Sequence, residues 1–200
     1  MTTTSANVTW QAGAVERTQR WDSLGQRGAT VWFTGLPASG KSTVAAAVEA
    51  ELVRGGRAAY RLDGDNLRHG VCGDLGFTAE DRDLNVRRTA EVARLFADAG
   101  LVALVSVVSP YAEARAFARD LHERDGLRFI EVYVNTPLEV CAERDPKGLY
   151  ARAKAGELRG FTGVDDPYEP PRSPDVELCV LDIESAVVRV LEALDGGRAT

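Results

Sequence analysis
"ATVWFTGLPASGKSTVAAAVEAEL", residues 29–52, passes from an apolar, strand-like run through a glycine-rich turn into a helix-forming stretch. The turn fits G-x-x-x-x-G-K-[ST], with Gly35, Gly40, Lys41 and Ser42 at the defining positions. Glycines let backbone N–H groups point inward around phosphate oxygens, a lysine adds positive charge, and the serine hydroxyl can ligate Mg²⁺. The pattern joins a predicted strand to a predicted helix, whose N-terminal dipole also favours anions. All of Gly35, Leu36, Pro37, Ala38, Ser39, Gly40, Lys41, Ser42 and Thr43 are therefore read as a nucleotide-phosphate loop. Pro37 has no N–H to offer, but its neighbours keep theirs.

Outward from this loop, apolar runs at 29–34, 57–62, 101–108, 128–134 and 177–182 alternate with helical patterns. That alternation predicts an α/β fold, a doubly wound parallel sheet with helices on both faces. Gly55-Gly56 is a stop signal for the helix after the loop. In "NTPLEVCAER", Thr136 is placed to cap a helix, with Pro137 in its first turn and Glu139 completing a capping box. Residues 1–28 read as an N-terminal extension, 29–195 as one domain and 196–200 as a tail. The stretch 145–174, rich in Gly, Pro and charge, reads as a long loop and a mobile lid.

Bulk properties narrow the partners. The chain has 200 residues, 44% of them hydrophobic, enough for one well-buried domain, and a net charge of −6 that argues against nucleic acid or anionic membrane as ligand. No apolar run spans a membrane, and the start lacks the basic and greasy regions of a signal peptide. Cys72, Cys141 and Cys179 have no metal or redox spacing and read as reduced, buried thiols of a cytoplasmic protein. His69 and His122 have no ligand or triad spacing and are expected at the surface. The guanine-reading N-K-x-D is absent, which favours ATP as phosphate donor.

The acceptor is read from what surrounds the loop. In "RLDGDNLRHG", Asp63 and Asp65 fall near a strand's carboxyl end, the edge where open α/β sheets bind ligands. One can take a hydroxyl proton or help hold Mg²⁺; either can instead cap the short helix that follows. In "AEDRDLNVRRTAEVARLFADAG", a 100° period puts Leu84, Val92, Leu95, Phe96 and Ala99 on one stripe, with Asn85 and Arg88 inside it. A guanidinium there requires a carboxylate or a bound anion. Arg68, Arg82 and Arg88 are thus expected to converge beside Asp63, with an internal salt-bridge network as the alternative. Phe77 and Phe161, both among glycines and polar residues, either anchor their loops or flank a planar base. Together these residues describe a flat, anionic acceptor.

The blocks "WFTGLPASGKST", "LDGDNLRHG", "DLGFTAEDRDLNVRR", "VVSPY", "FIEVYVNTP", "RDPKGLY" and "FTGVDDPYEPP" resemble the adenylylsulfate kinase family in order and spacing, from about Asn7 to Leu194. The resemblance implies ATP- and Mg²⁺-dependent phosphorylation of the 3′-hydroxyl of adenosine 5′-phosphosulfate (APS). It implies Asp63 as base or, with Ser42, metal-organising group, Arg68, Arg82 and Asn85 on the phosphosulfate, and Phe77 and Phe161 around the acceptor adenine. It further places Lys147 near the transferring phosphate, Leu149 beside it in the acceptor pocket, and Arg144 against the ATP adenine. Ser109 matches a position described for a phosphoserine intermediate; with no base beside it, it reads instead as a hydrogen-bonding residue of the acceptor pocket. The "LPAS" interior and Gln11 depart from the common family pattern without removing a needed group. A homodimer and an association with ATP sulfurylase are further implications. Kinases of acceptors such as shikimate or gluconate fit the paired phenylalanines less well. A non-catalytic regulator does not explain why Lys41, Ser42 and Asp63 are all present.

Overall fold
The computed structural model describes residues 7–9, 11–179 and 182–196. In chain order it contains α1 (Arg17–Leu24), β1 (Ala29–Thr34), α2 (Lys41–Arg54), β2 (Ala59–Asp63), α3 (Gly64–Leu67), α4 (Ala79–Ala99), β3 (Val102–Ser106), α5 (Ala112–Arg124), β4 (Arg128–Asn135), α6 (Leu138–Arg144), α7 (Leu149–Lys154), β5 (Val176–Cys179) and α8 (Ile183–Asp195). The strands form one parallel sheet in the order β2-β3-β1-β4-β5. The expected fifth strand, 177–182, runs in part over residues 180–181, outside the described residues, as do 1–6, 10 and most of the 196–200 tail.

Side chains alternate across the sheet as strand geometry requires. Val31 and Phe33 of β1 pack with Val102, Leu104, Ile130 and Val132 under α2 and α8. Trp32 packs with Ala103, Val105 and Phe129 under α4 and α5. On that second face the helix approaches so closely that a Cβ at Gly28 would stand 1.9 Å from the Ala97 carbonyl oxygen. Only small residues fit beneath it, so α4 buries Asn85, Val86, Thr89, Ala90, Ala93 and Ala97. The bulky stripe expected from periodicity is out of phase: Leu84 and Leu95 are 38% and 57% exposed. Val92 and Phe96 of that stripe are half-buried against the core, Phe96 toward the sheet edge, 5.4 Å from the Tyr60 ring.

Three further expectations are corrected. Thr136 does not cap α6, whose N-cap is Pro137 with no side-chain hydrogen bond. The segment 145–174 is not a structureless loop: it contains α7, and Tyr150, Ala153 and Phe161 form a small core of their own with Cys141. Cys72 and Cys141 are buried but Cys179 is exposed. The extension 1–28 contains α1, which docks on α4 through Arg17 to Asp98 at 2.6 Å and Trp21 Nε1 to the Ala97 carbonyl at 3.2 Å.

His69 is exposed, but His122 is fully buried on α5, contrary to the sequence reading. Its Nδ1 donates to the Ala118 carbonyl at 2.7 Å, so Nε2 accepts from the Thr30 hydroxyl at 2.8 Å. Burial pushes its pKa below the ordinary value, against the raising effect of that carbonyl. The unfolded chain then binds a proton that the folded chain refuses. Stability is full above about pH 6.5 and falls below it, by at most about 1.4 kcal/mol per pH unit from this group. Urea midpoints between pH 7.5 and 5.5 are expected to fall less steeply for His122→Gln than for the parent.

Candidate active site
β1 lies between β3 and β4, and at its carboxyl end the chain turns into the phosphate loop. Gly35 and Gly40 have φ of 149° and 104°, and Ala38 has φ of 60°. A Cβ at Gly35 would meet the Val134 carbonyl oxygen at 2.6 Å, so only glycine passes β4 here. The left-handed Ala38 costs about 1–2 kcal/mol and persists because the loop is held from outside. Thr136 Oγ1 donates to the Ser39 carbonyl at 2.8 Å, and Tyr150 OH to the Pro37 carbonyl at 3.0 Å. Thr136 is thus a loop clamp, which its helix-cap sequence context disguised.

Lys41 is buried and its Nζ donates to the Gly35 and Leu36 carbonyls at 2.9 and 2.7 Å. Burial pushes its pKa down to about 8, although Cys141, Asp63 and Asp65 pull it upward. Asp63 ends β2 and is 8% exposed. Its Oδ2 accepts from Arg61 Nη1 at 2.8 Å and Ser106 Oγ at 2.9 Å, and its Oδ1 from the Asp65 amide at 3.0 Å. Burial raises its carboxyl pKa, yet hydrogen bonds from Ser42, Ser106 and the Asp65 amide, with Arg61, leave it lowered overall. Asp63 therefore caps α3 and stays ionised beside the Ser42 hydroxyl at once. An anion so stabilised is a weak base and a good oxygen ligand. Among the described residues no group of three or more His, Cys, Asp or Glu is arranged for a metal. A hydroxyl and a carboxylate beside a phosphate cradle nevertheless suit Mg²⁺, which binds few protein oxygens and keeps phosphates and waters.

The loop opens into a cleft of about 890 Å³, at the upper end for ligand sites and wide enough for a donor and an acceptor. Pro37 to Thr43, Asp63, Asp65, Arg68, Phe77, Arg82, Asn85, Ser109, Arg144, Lys147, Leu149 and Phe161 all border it. Gly35 and Leu36 lie behind it, their carbonyls engaged by Lys41. Arg144 Nη1 is 3.4 Å from the Ser39 carbonyl oxygen, at the donor end. Ile183 and Ala186 of α8 add an apolar wall that the sequence reading missed. They sit on an amphipathic helix, where nothing separates a cleft-lining position from a core one.

At the other end, the Arg68 guanidinium lies 4.3 Å from the centre of the Phe77 ring, and that of Arg82 5.9 Å. Phe77 is 61% exposed, whereas Phe161 is buried edge-on against Tyr150 with ring centres 4.9 Å apart. Arg82 donates to Thr162 Oγ1 at 2.7 Å and to the Gly160 carbonyl, tying the head of α4 to the 145–174 segment. Lys147 pairs with Asp65. Asn85 is buried, and among the described residues its Oδ1 has no hydrogen-bond partner. Such an orphan acceptor costs about 1–3 kcal/mol, a cost that a ligand donor in the cleft removes. Ser109 is buried at φ 41°, a conformation costing about 1–3 kcal/mol, with Oγ accepting from Trp32 Nε1 at 3.1 Å and donating to Thr34 Oγ1 at 2.9 Å.

Arg88 does not converge with the others. It lies outside the buried face of α4, pairs with Asp74 at 2.9 Å and donates to the Val71 carbonyl at 3.0 Å. The internal salt bridge, not an anion, is its partner. Arg88→Ala is expected to leave the KM values for both substrates within about twofold of the parent, since surface pairs contribute little; steady-state kinetics checks this.

A family model described as adenylylsulphate kinase matches residues 27–179. The adenylyl-sulfate kinase of Penicillium chrysogenum is 49% identical over 200 residues, covering 96% of this chain and 95% of that protein. That of Clostridium acetobutylicum is 52% identical over 172 residues, 86% of this chain and 84% of the relative. The APS kinase of Mycobacterium tuberculosis, solved in complex with AMPPNP and APS, superposes with a TM-score of 0.83 at 52% identity, over 85% of this chain and 99% of that one. With a family model matched over most of its length and relatives about half identical across it, the chain belongs to the adenylylsulphate kinase family.

Proposed function
We propose that this chain transfers the γ-phosphoryl group of ATP to the 3′-hydroxyl of adenosine 5′-phosphosulfate, giving 3′-phosphoadenosine 5′-phosphosulfate and ADP. The observation that carries the reading is the two-ended cleft. A phosphate cradle occupies one end, and an exposed ring flanked by two guanidiniums, beside the orphan Asn85 carbonyl oxygen, occupies the other. A nucleotide carrying a charged 5′ group offers each of these a partner, which a sugar or a hydroxy acid does not.

Phosphoryl transfer needs positioning and charge neutralisation more than covalent chemistry. The inward N–H groups of the loop and the start of α2 bind the donor phosphates. Lys41 exchanges its loop carbonyls for phosphate oxygens. Ser42 and Asp63 would hold Mg²⁺, which would supply positive charge beside the phosphate oxygens. Asp63, being ionised, orients the acceptor hydroxyl and accepts its proton late, when the oxygen has become acidic. Lys147, on the lid, adds charge as transfer proceeds. Arg68, Arg82 and the side-chain N–H group of Asn85 grip the acceptor's charged groups, the Asn85 carbonyl oxygen accepts from a nucleoside N–H or O–H, and Phe77 and Phe161 flank the base. Ser109, both its hydroxyl contacts internal, shapes the pocket without becoming phosphorylated.

The reading extends to a homodimer and an association with ATP sulfurylase, both supported by the family resemblance, and to a cytoplasmic setting, supported by three cysteines without metal or redox spacing. Among the described residues no helix is long and apolar enough to cross a membrane.

ADP release is expected only when APS accompanies ATP; release driven equally well by gluconate, shikimate or water contradicts the assignment. Asp63→Ala is expected to lower kcat by about 100-fold or more while ATP affinity changes only a few-fold. Parallel loss of both would make Asp63 structural. Asn85→Leu removes a buried orphan acceptor, so its melting temperature is expected not to fall, while the KM for APS rises by about 10-fold or more.

A further inference from the structure
α5 buries Ala114, Ala118 and His122 and, among them, the guanidinium of Arg115, which is 4% exposed and does not border the cleft. A charge so placed needs all its donors used. Its Nε donates to Glu131 Oε1 at 3.0 Å, its Nη1 to the Ser109 carbonyl at 2.7 Å and its Nη2 to the Glu169 carbonyl at 2.5 Å. Two of these three acceptors are backbone oxygens of segments that shape the cleft: the turn after β3, and the far end of the lid. The same segments are joined again by the Glu169 amide to the Pro110 carbonyl at 2.8 Å and the Ala112 amide to Glu169 Oε2 at 2.7 Å.

Ser109 stands in the left-handed region at φ 41°, where a serine stays only if its surroundings hold it. Its side chain is held by Trp32 and Thr34, and its carbonyl by Arg115. The Ser109 turn also meets Thr34, just before the phosphate loop, but the loop interior is held by Thr136 and by Tyr150 at the near end of the lid. The direct contacts of Arg115 are with Ser109, Glu131 and Glu169, none of them in the phosphate loop. A planar fork with donors on several edges reaches three acceptors in different directions; an ammonium on a lysine stem does not.

We propose that Arg115 is a positioning residue for the acceptor end of the cleft, locking the Ser109 turn and the Glu169 end of the lid to one buried point. The inference rests on the reading of that end as the acceptor site.

The test has two readouts. In steady-state kinetics Arg115→Met is expected to raise the KM for APS by about 10-fold or more, with the KM for ATP within about twofold. In the ligand-free protein, the indole N–H resonance of Trp32 is expected to shift, because its acceptor, Ser109 Oγ, is no longer fixed; Trp10→Phe and Trp21→Phe chains assign the peak. Glu131→Gln keeps a hydrogen-bond acceptor and both backbone contacts, and is expected to change neither readout. If Arg115→Met does not fold, Arg115→Lys decides, with a rise of about threefold or more in the KM for APS expected. Equal rises in both KM values, or an unchanged KM for APS with an unmoved Trp32 resonance, would overturn the proposal. A parent chain that releases no ADP with APS refutes the functional reading instead, and the Trp32 resonance still reports on the Arg115–Ser109 link.

Discussion
The position of β1 in the sheet is the constraint on which the other features depend. It lies between β3 and β4, so the turns leaving β1 and β3 open a crevice at the carboxyl edge. The glycine-rich turn fills one side of that crevice because a Cβ at Gly35 would strike the Val134 carbonyl. The turn after β3 fills the other with Ser109. Asp63, one strand further out, reaches the same edge because β2 pairs with β3 in register, Asp63 opposite Ser106. That pairing brings the Ser106 hydroxyl to the carboxylate and helps to keep it ionised.

Much of this was legible because it is local. The loop pattern, the strand before it and the helix after it lie within 24 residues, and glycine spacing reports backbone shape directly. The strands were found as apolar runs, most plainly β1 and β3, which are buried along their whole length and carry no polar alternation, whereas β4 and β5 alternate. The cleft residues from Asp63 to Asn85 were found because charged and aromatic side chains at a strand end or helix head have few structural explanations.

What escaped detection is set by neighbours distant in sequence. Periodicity assigns the bulky side of α4 to the core, but the closeness of Gly28 to Ala97 selects the small side. That same error of phase drew Arg88 into the expected site; Asp74, its partner, was within the quoted sequence but not visibly opposite it. Thr136 and His122 are polar residues whose partners, Ser39 and Thr30, lie 97 and 92 positions away. The segment 145–174 looked loop-like by composition because its core of four residues borrows Cys141 from α6.

The buried Lys41 ammonium has a thermodynamic corollary. With its pKa near 8, an appreciable fraction of the lysine is neutral in mildly alkaline solution. Triphosphate oxygens favour the charged form, so complexation draws a proton from the medium whenever the free lysine lacks one. Donor affinity then weakens as alkalinity increases past that point, and the heat of association depends on the ionisation enthalpy of the buffer. The depth at which the loop holds its lysine therefore makes nucleotide capture a proton-coupled event.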